Sequence, residues 1–273
     1  MIRATKKIIL FAGLLAATTI TTTAPAQQKD EEREIVSQAF SYQIGGQEFE
    51  GYISRPAKLD GRAPGVLIAH DWTGCGEFAQ ARAMNLAQRG YVAFAIDLYG
   101  KGKRAKNSTE AGALATPLYK NRALLRARGQ AALAELIKRD DVDPKRIGAM
   151  GFCFGGSAAL ELARSGADLR GVVSFHGGLT TPNPADAKNV KASLLILHGT
   201  LDPLVPPADV AAFMTEMNAF KIPYRLVAYP GAVHAFTNPE AGSDLSKGTA
   251  FNLEVAVAAY REMQRFFELT LAP

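Results

Sequence analysis

The chain has 273 residues, of which 48% are hydrophobic, and a formal net charge of +5. This is long for one average domain but usual for a single α/β sheet, and it is apolar enough to bury a sizeable core. The two densest basic runs, 101–106 and 122–128, contain no aromatic residues. We therefore expect solvated surface there, and no nucleic-acid partner.

The first 26 residues have the pattern of a secretory signal peptide. Basic residues at 3, 6 and 7 precede the apolar run 8–17, and a Thr-rich stretch ends in Ala24-Pro-Ala26. A membrane span needs ~20 apolar residues, so we expect cleavage after Ala26 and no stable membrane anchor. Without this segment 28 Lys and Arg face 26 Asp and Glu, a net charge of +2. Residues 27–273 should form one secreted or periplasmic domain, a monomer or small homo-oligomer.

Downstream, strand-like and helix-like patterns alternate. An antiparallel pair is predicted at 39–42 and 49–54, followed by strands at 65–69, 92–96, 147–150, 171–175, 194–197 and 224–228. Helices are predicted at 77–88, 123–137, 156–164, 207–218 and 251–269. This order favours an α/β fold whose mostly parallel eight-stranded sheet has helices on both faces. No large cap domain is predicted; the longest irregular connection, 101–121, is a candidate for a short helical lid.

A candidate nucleophile lies between the strand 147–150 and the following helix. The segment Gly151-Phe-Cys153-Phe-Gly-Gly156 predicts a tight strand–turn–helix with a thiol at its apex and glycines at its shoulders. A helix that begins just after Cys153 would direct free N–H groups at the sulfur and favour the thiolate. A buried cysteine in a Gly-rich turn would also match this pattern.

Two more residues complete a possible triad. Asp202 follows the strand 194–197, and His234 follows the strand 224–228. The loops at the carboxyl ends of parallel strands meet in one crevice, and the order Cys, Asp, His is that of the α/β-hydrolase layout. Asp202 would orient the imidazole of His234, which would take the proton of the thiol. Taken singly, Asp202 is also a plausible turn former and His234 a surface residue.

With these motifs the sequence resembles the dienelactone hydrolases, which are α/β-hydrolases with a cysteine nucleophile. The resemblance covers roughly 43–267 and rests on five segments: 66–74, 90–100, Gly151–Gly156, His198–Asp202 and Gly231–Phe236. It implies hydrolysis of a lactone or carboxylic ester through an acyl-thioester, without a metal or other cofactor. The implied partner is a small ester or lactone.

The resemblance also implies roles for residues beside the triad. Asp71 stands where the family more usually has a glutamate that helps control the proton of the cysteine. The backbone N–H groups of Trp72 and Phe154 would form the oxyanion hole, and two donors from different loops suit a developing alkoxide. The alternative for Asp71 is a carboxylate that caps the helix beginning near Glu77.

The substrate-binding residues depart from the family. Its founding members hold a carboxylate with two arginines, and the corresponding positions here are Lys101 and Asn238. Lysine has no planar fork for a carboxylate, so dienelactone itself is a doubtful substrate. Two aromatic residues, Tyr99 and Phe236, are further candidates for the pocket wall.

Three histidines and a second cysteine lie outside the possible triad. His70 and His198 end buried strands and are expected to be structural, whereas His176 follows a strand at the same edge and is a candidate pocket residue. Cys75 lies in the loop that carries Asp71. If it bridged Cys153, the chain would be a redox-gated esterase or thioesterase of broader specificity, but we expect two free thiols. A non-catalytic binding protein of this fold is the remaining alternative, and the presence of all three triad residues argues against it.

Overall fold

The computed structural model describes residues 33–273, and the predicted signal peptide lies outside them. The described residues form eight strands, which are β1 (Ile35–Ile44), β2 (Gln47–Pro56), β3 (Ala63–Ala69), β4 (Val92–Ile96), β5 (Val142–Phe152), β6 (Gly171–Phe175), β7 (Ser193–Gly199) and β8 (Tyr224–Tyr229). They also form six α-helices, which are α1 (Glu77–Ala87), α2 (Ser108–Lys120), α3 (Arg122–Ile137), α4 (Phe154–Arg164), α5 (Pro207–Ala219) and α6 (Leu253–Thr270).

The eight strands make one sheet in the order β1-β2-β4-β3-β5-β6-β7-β8. The pairs β1–β2 and β2–β4 are antiparallel, and every other neighbouring pair is parallel. The predicted fold class, a mostly parallel eight-stranded sheet, is confirmed. Strand bounds differ from the predicted ones mainly at β1, β2 and β5, which are longer because their polar ends continue the ladder.

Helices cover both faces of the sheet. Side chains alternate along a strand, and in β3 Leu67 packs into one core while its neighbour Val66 packs into the other. The Leu67 core includes residues of α2, α3, α4 and α5, whereas the Val66 core includes residues of α1 and α6. Strands buried on both faces explain the uninterrupted apolar runs in the sequence.

The connection 101–121 is more regular than its sequence pattern predicts. It contains the 13-residue helix α2, whose Ala111, Ala115 and Leu118 are buried. The side chain of Asn107 caps this helix by accepting from the N–H of Glu110 (2.9 Å). Because its apolar face packs into the core, α2 is part of the helical layer and not a free-standing lid.

A buried ion pair holds α4 in place. Arg164 at the end of α4 donates two hydrogen bonds to Glu216 of α5, of 2.8 and 2.7 Å, and a third to Glu161 (3.2 Å). All three side chains are nearly inaccessible. Removal of one partner from such a pair leaves an uncompensated buried charge and costs about 3–5 kcal/mol. The helix that begins at the candidate nucleophile is therefore anchored at its far end.

The carboxyl ends of four strands define one edge of the sheet. β3 is followed by Asp71, β5 by Cys153, β7 by Asp202 and β8 by His234. Since β3 and β5 are adjacent and parallel, the Asp71 loop and the Cys153 turn emerge side by side.

Candidate active site

Cys153 occupies a strained turn between β5 and α4. Its φ of 54° and ψ of −116° lie where side chains are rarely found. The turn depends on the absence of a side chain at Gly155, where a Cβ would collide with the carbonyl oxygens of Ala69 and His70. A Cβ at Gly151 would likewise strike the backbone of Gly155. The two glycines let the turn pack against β3 while the thiol remains partly exposed.

His234 and Asp202 form a buried pair. Nδ1 of His234 lies 2.8 Å from Oδ2 of Asp202, and both residues are about 4% exposed. The other carboxylate oxygen of Asp202 accepts from the N–H of Leu204 (2.8 Å). This arrangement fixes the ring orientation and leaves Nε2 as the free nitrogen.

The free nitrogen of His234 has no hydrogen-bond partner of ordinary geometry among residues 33–273. Burial acts to lower the pKa of His234, but Asp202 and the nearby Cys153 outweigh it and raise the pKa to about 10. Cys153 is therefore close enough to act on the ring, although the two side chains do not form an ordinary hydrogen bond. Catalytic hydrogen bonds are often loose before substrate binds. The imidazolium form is favoured at neutral pH.

Asp71 lies on the same pocket as Cys153 and is largely buried. Its Oδ1 accepts a hydrogen bond from the N–H of Thr73 (2.8 Å). Helix α1 is capped by Gly76, without any side-chain cap. The alternative in which Asp71 caps α1 is therefore wrong, and the carboxylate is available to the pocket.

Two backbone donors are free beside the sulfur. The N–H groups of Trp72 and Phe154 donate to no acceptor within the described part of the chain. Phe154 is the first residue of α4, where N–H groups have no intrahelical partner. The loop that carries Trp72 is held by Tyr99, whose hydroxyl donates to the carbonyl of Trp72 (3.0 Å). Unpaired backbone donors on two separate loops are one requirement of an oxyanion hole.

A pocket of about 340 Å³, here called the Cys153 pocket, brings Cys153, His234, Asp71 and Trp72 together. It is lined by Asp71, Trp72, Thr73, Phe78, Phe152, Cys153, His176, Leu204, His234, Ala235, Asn238, Glu240, Ala241 and Thr249. A second space of about 450 Å³, here called the adjoining groove, shares Asp71, Thr73, Phe78 and Glu240 with it. A substrate in the Cys153 pocket can therefore extend into the groove.

Of the four predicted substrate-binding residues, only Asn238 lines the Cys153 pocket. Lys101 forms ion pairs with Glu48 (2.7 Å) and Glu50 (3.6 Å), which hold it at the β1–β2 hairpin. Tyr99 and Phe236 are buried behind the wall. The hydroxyl of Tyr99 holds the Trp72 loop. The structure therefore does not place these three residues in the lining of the Cys153 pocket.

Phe236 packs against His176, with ring centroids 4.9 Å apart. His176 itself lines the pocket and lies edge-on to His234 at 5.1 Å. Its Nε2 is 2.8 Å from the hydroxyl of Thr237. Burial and the neighbouring His234 hold the pKa of His176 well below its usual value, so the ring is neutral. His70, by contrast, is structural, since its Nε2 accepts from the N–H of Leu98 (3.1 Å).

Other lining residues were not predicted from the sequence. Glu240 and Thr249 belong to the long segment after His234, and Phe78 belongs to the first turn of α1. The pattern of α1 offered a signal for Phe78, because it is an aromatic residue next to the loop of Asp71. Nothing in the sequence singles out Glu240 or Thr249, whose positions depend on how the 235–252 segment folds back.

Cys75 takes no part in the pocket. Both cysteines are free. The thiol of Cys75 faces the carbonyl of Ala95 at 3.4 Å, within the Val66 core, whereas Cys153 packs against the Leu67 core. Burial raises the pKa of Cys75 to about 12. The two sulfurs thus belong to opposite faces of the sheet, which argues against a bridge between them.

Residues 33–273 lack two features that would indicate other functions. None of their helices is long and apolar enough to cross a membrane. No group of three or more His, Cys, Asp or Glu side chains among them is placed to hold a metal ion.

Comparison with known proteins identifies relatives of this arrangement. Residues 49–271 match the model of the dienelactone hydrolase family. A protein of Aquifex aeolicus named "Putative carboxymethylenebutenolidase" is 28% identical over 207 residues, which cover 74% of this chain and 88% of that protein.

Two solved structures are similar over most of their length. The structure titled m3DLH has a TM-score of 0.84 at 34% identity and is matched over 87% of this chain and 99% of its own. A dienelactone hydrolase-like promiscuous phosphotriesterase, P91, from metagenomic libraries, has a TM-score of 0.83 at 33% identity with the same coverage.

Proposed function

Because the chain belongs to the dienelactone hydrolase family and is a hydrolase acting on ester or lactone bonds, we propose that it works through a Cys153–His234–Asp202 triad and an acyl-thioester. The observation that supports this most directly is the meeting of three separate loops. His234, which is paired with the buried Asp202, and Cys153 line one pocket, and Nε2 of His234 has no hydrogen-bond partner among residues 33–273.

In the first half-reaction, the thiolate of Cys153 attacks the carbonyl carbon. The carbonyl oxygen becomes negatively charged and accepts hydrogen bonds from the N–H groups of Trp72 and Phe154. Collapse of this intermediate breaks the bond to the alkoxy oxygen, which takes a proton from His234 and leaves as an alcohol. Cys153 then carries the acyl group as a thioester.

In the second half-reaction, water replaces the alcohol. Neutral His234 takes a proton from water as its oxygen attacks the thioester carbon, and Asp202 stabilises the imidazolium that forms. The carbon–sulfur bond breaks, the acid is released, and the Cys153 thiolate is restored beside protonated His234. The raised pKa of His234 suits this resting state. Asp71, whose side chain lines the same pocket, would help control the proton of Cys153 between turnovers.

A substrate screen with a nucleophile control tests the proposal. We expect the 27–273 protein to hydrolyse 4-nitrophenyl esters and small lactones, and Cys153→Ala to lose all turnover above background while keeping its melting temperature within a few degrees. Cys153→Ser should be strongly impaired, since a hydroxyl needs a stronger base than a thiol. Full activity of Cys153→Ala would exclude the mechanism.

The intermediate itself is accessible to measurement. With an excess of a slow ester, an early burst of 4-nitrophenol should match the enzyme concentration. Intact mass should then show one acyl group, absent from Cys153→Ala. A neutral aryl phosphotriester belongs in the same screen, because the similar P91 structure is titled a phosphotriesterase. Dienelactone should be a poor substrate, since neither Lys101 nor Asn238 offers the family's arginine fork.

We also propose export before activity, on the strength of the pattern in residues 1–26. Expression of the full chain in a Gram-negative host and intact mass of the periplasmic fraction test this. The expected protein begins at Gln27, and full-length protein in the cytoplasmic fraction alone would contradict export.

A further inference from the structure

The charged residues around the candidate active site are mostly acidic. The Cys153 pocket is lined by the carboxylates of Asp71 and Glu240 and by no lysine or arginine of residues 33–273. Its remaining titratable residues are Cys153 and two histidines. His176 is neutral, and His234 is paired with the carboxylate of Asp202, which balances its charge. The adjoining groove adds Glu77 and one cation, Arg104.

The two nearest cationic side chains, Arg104 and Lys101, already contact other groups. Arg104 directs its Nε at the carbonyl of Cys75 (2.6 Å). Lys101, which stands where the family resemblance implied an arginine, pairs with Glu48 and Glu50 at the β1–β2 hairpin. Within the described part of the chain, pocket and groove together therefore hold three carboxylates against a single guanidinium.

Glu240 is the carboxylate best placed to attract or repel a charged substrate in the Cys153 pocket or in the adjoining groove. It borders the Cys153 pocket and the adjoining groove, is exposed, and has no side-chain partner in residues 33–273. Its position is fixed by a short 3₁₀ turn, Pro239–Ala241, in which the side chain of Asn238 accepts from the N–H of Glu240 (3.0 Å). Where the resemblance implied a cation, this chain has a neutral amide followed two residues later by a negative charge.

Building on the proposed function, we infer that this hydrolase favours neutral and cationic esters over anionic ones, and that Glu240 sets this preference. A unit charge on the substrate a few ångströms from a surface carboxylate changes relative rates by roughly three- to fivefold. A substrate ammonium is attracted to Glu240 and a substrate carboxylate is repelled by it. The ratio of the two rates therefore contains the electrostatic free energy twice. Screening by salt should reduce it.

The first experiment measures whether the pocket prefers a cationic or an anionic reagent, without relying on ester hydrolysis. Methanethiosulfonates that carry a trimethylammonium or a sulfonate group react with thiolates: the thiolate attacks the sulfenyl sulfur, a mixed disulfide forms, and methanesulfinate leaves. Cys153 is the reactive thiol, because Cys75 is buried. Rates are followed by intact mass and divided by the rates for 2-mercaptoethanol. We expect the normalised cation-to-anion ratio to be about tenfold or more.

Matched variants assign the effect to Glu240. Glu240→Gln keeps the backbone hydrogen bond of the 3₁₀ turn and removes the charge, so the ratio should fall several-fold toward one. Glu254→Gln removes the same charge from an exposed position in the first turn of α6, outside both spaces, and should leave the ratio unchanged. Raising the salt concentration to about 1 M should lower the wild-type ratio. A ratio of one or less, or no response to Glu240→Gln, would overturn the inference.

The second experiment carries the charge on the substrate. The 4-nitrophenyl esters of butyrate, 4-trimethylammoniobutyrate and succinate are compared by kcat/KM, each corrected for its hydroxide-catalysed rate. The expected order is cationic above neutral above anionic, with the spread reduced in Glu240→Gln. A succinate ester that is hydrolysed fastest refutes the preference while leaving the triad intact. If none of the three esters is hydrolysed in a Cys153-dependent way, but the thiol experiment still shows a charge preference, the proposed function is refuted instead.

Discussion

The hydroxyl of Tyr99 donates a 3.0 Å hydrogen bond to the carbonyl of Trp72. This bond ties the loop after β4 to the loop after β3, and the second of these loops carries the N–H of Trp72, which has no acceptor among residues 33–273. The ring of Tyr99 also packs on Phe154, with centroids 5.5 Å apart. One buried tyrosine therefore contacts both residues that would supply the backbone donors of the proposed oxyanion hole.

Tyr99→Phe should lower kcat about three- to tenfold with little change in KM, because a looser donor weakens interactions made only in the transition state. Loss of the hydrogen bond should also cost about 1 kcal/mol of stability. Tyr42→Phe is the matched control, since its buried hydroxyl donates to the carbonyl of Asp97 (2.8 Å), away from the pocket. It should lose similar stability and keep its kcat. Equal kcat values in the two variants would contradict the role given to Tyr99.

The pKa of His234 predicts a dependence of stability on pH. Burial lowers this pKa but Asp202 and Cys153 raise it further, from 6.5 to about 10. The folded state binds the proton more tightly, so this stabilisation is complete below pH 6.5 and disappears as the pH rises to about 10. The melting temperature of wild type should exceed that of Asp202→Asn most at pH 6, with the gap narrowing by pH 10.

An exposed loop carboxylate supplies the comparison for this measurement. Asp60 has no ion-pair partner within residues 33–273, so Asp60→Asn should differ from wild type by the same small amount at every pH. A gap for Asp202→Asn that stays constant or widens between pH 6 and pH 10 would show that the pair gains nothing from the charge on His234.

The two thiols should differ in reactivity and remain unbridged. In native protein an aromatic disulfide reagent should titrate Cys153 and spare Cys75, whose burial raises its pKa to about 12. In denaturant both should react, and reductant should leave activity unchanged. Cys75→Ala should keep full activity. A non-reduced, alkylated protein two hydrogens lighter than the dithiol would reveal a disulfide and contradict this prediction.

The close approach of Gly155 to β3 predicts an intolerant position. Gly155→Ala would force a Cβ against the carbonyl oxygens of Ala69 and His70, so the turn must shift, and we expect activity to fall at least about 100-fold because small displacements of catalytic groups have such effects. Gly112→Ala, in the interior of α2 with open space around the glycine, should instead be neutral or stabilising by up to about 1 kcal/mol. Melting temperature and kcat/KM are measured for both variants. A loss of activity in Gly155→Ala alone supports the close contact with β3, whereas equal losses in both would contradict it.

Sequence patterns predicted the sheet well because its strands are buried on both faces. An apolar run such as 92–96 has few other interpretations between turn signals, and its bounds are correct. Helix α2 was missed as a regular element because Gly112 and Pro117 interrupt its pattern. Asn107 was the available signal, since asparagine is a preferred N-cap residue and its side chain accepts from the N–H of Glu110 (2.9 Å).

The pocket walls were harder to predict than the residues at the strand ends. Cys153, Asp202 and His234 lie within five residues of the carboxyl ends of β5, β7 and β8, so the order of the strands brings them to one edge. Which side of the wall an aromatic residue occupies depends on packing between loops, and Tyr99 lies behind the pocket because its hydroxyl bonds to Trp72. The partner of Lys101 came from the β1–β2 hairpin, more than fifty residues earlier in the chain.

The proposed site draws one residue each from the loops after β3, β5, β7 and β8, and the last of these begins only after Tyr229. Until β8 has paired with β7, His234 has no fixed position relative to Cys153. Activity should therefore appear late in folding, after the slow long-range pairings of a parallel sheet are complete. During synthesis, the nucleophile leaves the ribosome about eighty residues before its base, so the growing chain carries the thiol for some time without the imidazole that would activate it.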